Sequence, residues 1–335
     1  MDPVTHALTS IAIGRAGLGK TARTAMPALI VSGLAADVDW VTRLGGASAF
    51  LRGHHTATHS LVGTILLALA VAAIFYYAGR KWPKFAVAFL PILGICAVGA
   101  GVHLLLDLLN GDGVMLLWPF STRWFAWDLT ATVDACILFF LLAGLLLPDL
   151  LRLILEEIGS RSKQHKGQRG AVVALVLVAL FVVGRAVAHR RAIELLGANV
   201  YRNESPLSVG AFPKGYNPML WSGVVETDNA LVNVDVPLTP GSVFYPQIAD
   251  FHFKPAQTLA LENAWNSPAA IEFLSYARFP MASVEPIGTG FQVRLRDMRF
   301  ESESPGRRGV IAVIDLNALS LVVNSHFEFD SSFGQ

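Results

Sequence analysis

The sequence predicts an α-helical membrane domain followed by a small, mostly β domain outside the membrane. Three observations carry this. The 335 residues are 53% hydrophobic and only 15% charged, against about 25% charged in an average soluble domain. Apolar runs long enough to cross a bilayer crowd the first 189 residues. After about residue 190, Pro and Gly punctuate short alternating runs, none of spanning length. The expected domains are 1–189, helical, and 190–335, β-rich.

Taken in order, Val4–Gly19 and Ala25–Ala36 come first. Each is shorter than the roughly 20 residues a span needs, so they are expected as a short helical pair: a tight hairpin, a re-entrant pair or interfacial helices. Four spans follow, Ser60–Gly79, Phe85–Leu109, Ala131–Leu151 and Gly170–Ala188. Arg185 lies near the end of the last, where it can snorkel to the surface. Beyond it, Phe291–Leu295 alternates apolar and polar residues as a strand does, and Val310–Ile314 and Leu321–Val323 flank a turn expected at Asp315-Leu316-Asn317.

Several function classes fall away. A net charge of +1 argues against a nucleic-acid surface. Cys96 and Cys136 lie in apolar runs and fit neither a disulfide framework nor a thiolate metal site. There is no Gly-x-Ser-x-Gly, and Gly17–Thr21 lacks the spacing of a phosphate loop. The first residues lack a basic n-region, so no cleavable leader is expected.

Charge sets the expected topology. Arg80, Lys81 and Lys84 crowd one loop; Arg152, Arg161, Lys163, Lys166 and Arg169 fill the loop two spans later. Positive loops stay cytoplasmic. Parity then sends Ser60 and Asp107 to the outer face. If the short pair is a hairpin, Lys20 and Arg23 fall inside, and His6 and Asp37 return outside. The last span delivers the β domain outside as well. Trp118, Trp124 and Trp127 in the outer loop suit an interfacial belt or ordinary packing of that loop.

What parity gathers is chemically specific. His103 and Asp107 are four residues apart inside an apolar run, which stacks them on one helix face. Ionisable groups there are costly and usually serve a site. Three further clusters reach the same face: Asp2–His6, Asp37-Val38-Asp39, and His54-His55-Thr56-Ala57-Thr58-His59-Ser60. Imidazole with carboxylate suits a divalent ion, Zn²⁺ or Mn²⁺, as one ion or as two linked by a bridging carboxylate, for which Asp107 is the natural choice. The candidate ligands are His6, Asp37, His59, His103 and Asp107, with Asp39 and His55 as groups that orient them or move protons. Each has a structural alternative: a core histidine for His6, a helix cap for Asp37 or Asp39, a cap neighbour for His59, and a mutual hydrogen bond for His103 and Asp107. One of His54 and His55 is expected to be a bystander. Asp112 and Asp128 read as loop or capping acids, and Asp134 suits a helix start.

Asp2-Pro3-x-Thr5-His6, Asp37-x-Asp39, His55-x-x-Thr58-His59-Ser60-Leu61 and His103-x-x-x-Asp107 together resemble the YdjM-like, LexA-regulated inner-membrane metal-dependent hydrolases over roughly residues 1–150. That resemblance implies a multi-pass protein of the bacterial cytoplasmic membrane. The order of ligands is also similar, more distantly, to zinc-dependent phospholipase C and P1-type nuclease. This second likeness implies one metal on Asp37, His59, His103 and Asp107, a second on His6 and Asp107, and a contact from the N-terminal amine. A third set of ligands is not found downstream. The expected function is a membrane-bound hydrolase in which metal-activated water cleaves a phosphoester or lipid-like substrate, with membrane lipid as partner and no nucleic acid. Two alternatives stand beside it: a transporter, and a non-catalytic metal-binding scaffold.

Overall fold

A computed structural model describes residues 1–157, 167–300 and 309–330. The basic residues Arg161, Lys163 and Lys166 lie outside these. The described chain forms two compact units: residues 1–39 with 55–186, and residues 40–54 with 187–335.

The first unit is helical. Asp2 starts α1 (Pro3–Ala16): its Oδ1 accepts hydrogen bonds from the Val4 and Thr5 amides, both at 3.0 Å, and Pro3 needs no partner at the first helical position. The next helix, α2 (Ala25–Leu34), leads into a 3-10 segment, Ala35–Gly45, and then α3 (Gly46–Gly53). The stretch Ala25–Ala36, by itself shorter than a span, continues as helix to Gly53, and the 29 residues Ala25–Gly53 are long and apolar enough to span a membrane. Four longer helices follow: α4 (Leu61–Lys81), α5 (Phe89–Leu108), α6 (Ala135–Glu157) and α7 (Gln168–Gly197). Among the described residues, five helical stretches therefore have the length and composition of spans.

Two helix starts are set by caps rather than by apolarity. Ser60 Oγ accepts from the Gly63 amide at 2.9 Å and begins α4. Asp134 Oδ1 accepts from the Cys136 and Ile137 amides at 3.0 and 3.2 Å, so α6 begins four residues later than its apolar run.

Small residues bring these helices close. At Gly99 of α5, an added Cβ would sit 2.2 Å from Ser32 Oγ and 2.7 Å from the Leu29 carbonyl of α2. Without a hydrophobic drive between helices in lipid, this close approach is what lets them pack. Ala28 and Leu29 of α2, Ala68 and Ala72 of α4, and Ile92, Cys96 and Ala100 of α5 form one core. Ala12 of α1, Leu106 of α5, Ile137 and Leu141 of α6 and Ala171 of α7 form another. The outward faces stay apolar: Ile65, Leu66, Leu147, Leu180 and Val183 are all exposed, as lipid-facing residues must be. At one end, Arg15 Nη1 lies 2.8 Å from Asp149 Oδ2, and Lys20 Nζ lies 2.5 Å from Gln168 Oε1. The turn after α1 is therefore at the same end as the close of α6 and the start of α7, as a hairpin requires. Arg185 does not snorkel. It is buried, and its Nε donates to the Leu129 carbonyl in the loop before α6 at 2.8 Å.

The second unit holds two four-stranded antiparallel sheets. The first runs in the order β1 (Ser208–Pro213), β2 (Leu220–Glu226), β3 (Ala230–Pro237), β4 (Asp250–Phe253). Its buried Trp221, Val225 and Val232 pack with Ala192 and Leu196 from the end of α7. The second runs β5 (Pro280–Ile287), β6 (Gly290–Asp297), β7 (Val310–Leu316), β8 (Val322–Phe329). Helices α8 (Leu259–Trp265) and α9 (Pro268–Tyr276) cover one face through Leu261, Ala264 and Phe273 on Val293, Leu295 and Ile314. Also packed here is α3: Ala47 and Leu51 join Val310, with Phe327 and Phe329 against them. The turn expected at residues 315–317 falls later. Asp315 and Leu316 still pair in β7, and Asn317 Oδ1 accepts from the Leu319 and Leu321 amides to close the loop.

Candidate metal centre

Four separate segments of the helical unit deliver the polar residues. Aligned on one face of α5, His103 and Asp107 reach the end of that helix. His6 comes from the second turn of α1. Asp37 and Asp39 lie in the 3-10 segment after α2. His55 and His59 sit in the loop that Ser60 ends by capping α4.

Asp107 stands at the centre, fully buried. Its Oδ1 faces the Met1 amine and lies 3.2 Å from His6 Nε2. Its Oδ2 lies 3.1 Å from His59 Nε2 and 3.0 Å from His103 Nε2. The His6 ring stacks on His103, with centroids 3.8 Å apart. Asp37 Oδ1 is 3.8 Å from His103 Nε2. Two groups result, His6 with Asp37 and His103, and His55 with His59 and Asp107. In each, one ligand atom per residue lies within 4.8 Å of the others.

The imidazoles are oriented from behind. His103 Nδ1 is 2.8 Å from the Gly33 carbonyl, His55 Nδ1 is 2.8 Å from the Gly113 carbonyl, and His59 Nδ1 is 3.0 Å from Asp39 Oδ2. A carbonyl only accepts, so His103 and His55 carry their proton on Nδ1 and present an Nε2 lone pair. This is how metal-binding histidines are held. Asp39 Oδ2 also accepts from the His55 amide and Thr58 Oγ1, each at 2.9 Å, which locks the loop carrying both histidines.

The residues fit a cation. In each group one ligand atom per residue lies within 4.8 Å of the others, and the two groups meet where His59 Nε2 and His103 Nε2 are 3.1 Å apart. His6 Nδ1 and Nε2, Asp37 Oδ2 and Asp107 Oδ2 are buried without a geometrically sound hydrogen bond, although Asp107 has imidazole nitrogens within 3.2 Å. Buried polar atoms gathered this closely without hydrogen bonds suit a cation. Burial lowers the basicity of His59, but the adjacent carboxylates of Asp107 and Asp39 outweigh it and raise its pKa to about 9. A divalent ion held by these residues would take the place of that proton. Mixed imidazole and carboxylate donors suit Zn²⁺ or Mn²⁺.

All seven residues singled out in the sequence come together. The two groups are composed differently from the sets the distant likeness implies: Asp37 falls beside His6, and His55 joins His59 and Asp107. His54 turns away to stack on Phe50 in the second unit, centroids 4.5 Å apart. The carbonyls of Gly33 and Gly113 carry no signal beyond their nearness to the motifs, and Thr58 stands in its motif with no role assigned by the sequence. Asp39→Asn removes the charged acceptor behind His59 while keeping its shape. Metal affinity is expected to fall about 10–100-fold, read by competition with a chromophoric chelator.

A family model described as YdjM inner membrane protein matches residues 1–192. The uncharacterized protein YfhP of Bacillus subtilis (strain 168) is 28% identical over 142 residues, which are 40% of this chain and 42% of YfhP. The chain thus spans less than half the length of that curated relative. No solved structure matches it. The family match takes in more than half of the 335 residues and every residue of the candidate centre: the chain belongs to the YdjM inner membrane protein family.

Proposed function

We propose that the helical unit is a metal-dependent hydrolase acting on a phosphoester of a membrane lipid or lipid-like molecule, with the site and the β unit on the extracytoplasmic side. The observation that carries this reading is Asp107, whose two oxygens face one histidine on one side and two on the other. A carboxylate so placed is suited to bridge two ions. When bound, such ions supply Lewis acidity toward a phosphoryl oxygen and lower the pKa of water.

The chain's own residues divide the remaining work. His6, Asp37 and His103 would hold one ion and His55 and His59 the other, with Asp107, grouped with the second, near enough to the first to be shared. Asp39 and the Gly33 and Gly113 carbonyls keep the imidazoles in the right tautomer. The arrangement supports a site at the membrane surface, because His59 precedes α4 and Asp107 closes α5. The opposite helix ends carry Arg80 and Lys81, the sign that favours the cytoplasmic side. Transport would distribute ionisable groups through the depth of the membrane, whereas these gather at one end of the spans.

The test is elemental mass spectrometry of protein purified in detergent, followed by a screen of phospholipids and soluble phosphodiesters. The expected result is one or two equivalents of zinc or manganese and turnover that a chelator abolishes. No bound metal after reconstitution with Zn²⁺ or Mn²⁺ would defeat the reading; bound metal with no turnover on any phosphoester would leave a structural centre in its place.

A further inference from the structure

Between α5 and α6, residues 113–127 fold back on themselves and carry apolar side chains outward. Phe120 is 87% exposed, and Leu117 and Trp118 are exposed beside it. Trp127 is exposed as well, whereas Trp124 is only half-buried, close to Gly113. Large exposed apolar residues clustered at a loop tip need an explanation.

Backbone pairing shows what surrounds this tip. Val114 and Phe125 exchange two hydrogen bonds of 2.9 Å that close the loop. The Leu61 amide, at the start of α4, donates to the Leu116 carbonyl at 2.9 Å, and the Trp127 amide donates to the Leu108 carbonyl, at the end of α5, at 2.8 Å. The loop is therefore fastened to the ends of two spanning helices, at the level where a bilayer meets water. At the same helix ends Leu61 and Leu105 are exposed as well. Within the tip, the amides of Trp118, Phe120 and Ser121 donate to the Met115 and Leu117 carbonyls at 2.9–3.1 Å. Such self-satisfied backbone is what a low-dielectric boundary demands.

We infer that Leu117, Trp118 and Phe120 form a lip seated in the lipid at the headgroup–acyl boundary, and that the bilayer is its partner. The lip is joined to the candidate centre. The Met115 amide donates to the His55 carbonyl at 2.9 Å, and the Gly113 carbonyl holds His55 Nδ1. Lipid packing at the tip therefore fixes the height of His55 at the membrane surface. This inference rests on the helices spanning a bilayer and not on the hydrolase reading.

The test places a nitrobenzoxadiazole probe on Phe120→Cys and, separately, on Leu117→Cys, in protein reconstituted into phosphatidylcholine–phosphatidylglycerol vesicles. Wild type, labelled in parallel, gives the background from Cys96 and Cys136. The expected result at both positions is emission shifted to the blue of the free probe–cysteine adduct in buffer, and quenching by lipids brominated near the glycerol end of their acyl chains, roughly 5–10 Å deep. Emission matching the free adduct at both positions, unquenched by those lipids, would overturn the proposal. So would quenching by bromines at the chain ends alone, which would put the tip in the bilayer centre.

Discussion

Asp107→Asn is expected to strip metal from both groups at once. The carboxylate faces four nitrogen centres, with Oδ1 toward the Met1 amine and His6, and Oδ2 toward His59 and His103. The amide keeps the shape, removes the negative charge and offers only one acceptor oxygen. The His55–His59 group then loses its carboxylate, and the His6–His103 group keeps only that of Asp37. The loss should exceed the roughly 10–100-fold typical of an outer partner such as Asp39, leaving protein that purifies with no stoichiometric zinc or manganese and no hydrolysis. Removing one member of a buried charged network also destabilises a fold, by about 3–5 kcal/mol in comparable cases. Thermal unfolding in detergent, with excess metal and without, separates the effects. Added metal should raise the wild-type midpoint and leave that of the variant unmoved. A variant that retains its full metal content would remove Asp107 from the centre. Asp112→Asn is the control: this acid accepts from Thr132 in the loop after α5, and its loss should leave metal content unchanged.

The second large effect is expected from Gly63→Ala, a substitution of one methyl group on no ligand. A Cβ at Gly63 would lie 1.8 Å from the Ala57 carbonyl oxygen and 3.1 Å from Thr58 Cα. Both are backbone atoms of the loop carrying His59, so a rotamer change cannot relieve the clash. Either the loop moves by an ångström or more, or the first turn of α4 unwinds. Movement breaks the Thr58–Asp39 hydrogen bond of 2.9 Å and draws His59 away from Asp107. Misplacement of about 1 Å costs on the order of 100-fold in rate where chemistry depends on position, and overpacking adds about 1–3 kcal/mol of instability. Turnover and metal affinity should fall together while the protein still inserts and purifies. Unchanged affinity would show that this loop does not set the centre.

Much of the centre was legible because spacing on a helix is geometry. His103 and Asp107 could only share a face once α5 formed, and parity of spans brought His6, Asp37 and His59 to the same end. The partners behind the imidazoles were not legible. Gly33 and Gly113 act through carbonyls that every residue possesses, so no residue type marks them. Gly33 reaches His103 because Gly99 and Ser32 let α2 press against α5, a matter of packing between segments about 70 residues apart. The sequence marks Asp39 as a group that orients ligands or moves protons, but its contacts with the His55 amide, Thr58 and His59 depend on the fold of the loop.

By itself the sequence determined the membrane character of the first half of this protein. Apolar runs of spanning length have no other low-energy environment than lipid or a core. It also determined which residues could bind a metal, since only a few side chains carry the donors. Tertiary structure alone decided which ligand stands with which, because that depends on distances between separate helices. It decided that Arg185 is buried on the Leu129 carbonyl rather than extended to the surface. It also decided that α3, next in sequence to the metal-site motifs, packs its Ala47 and Leu51 with Val310 of β7, because burying an apolar helix face depends on which surface is available and not on proximity along the chain.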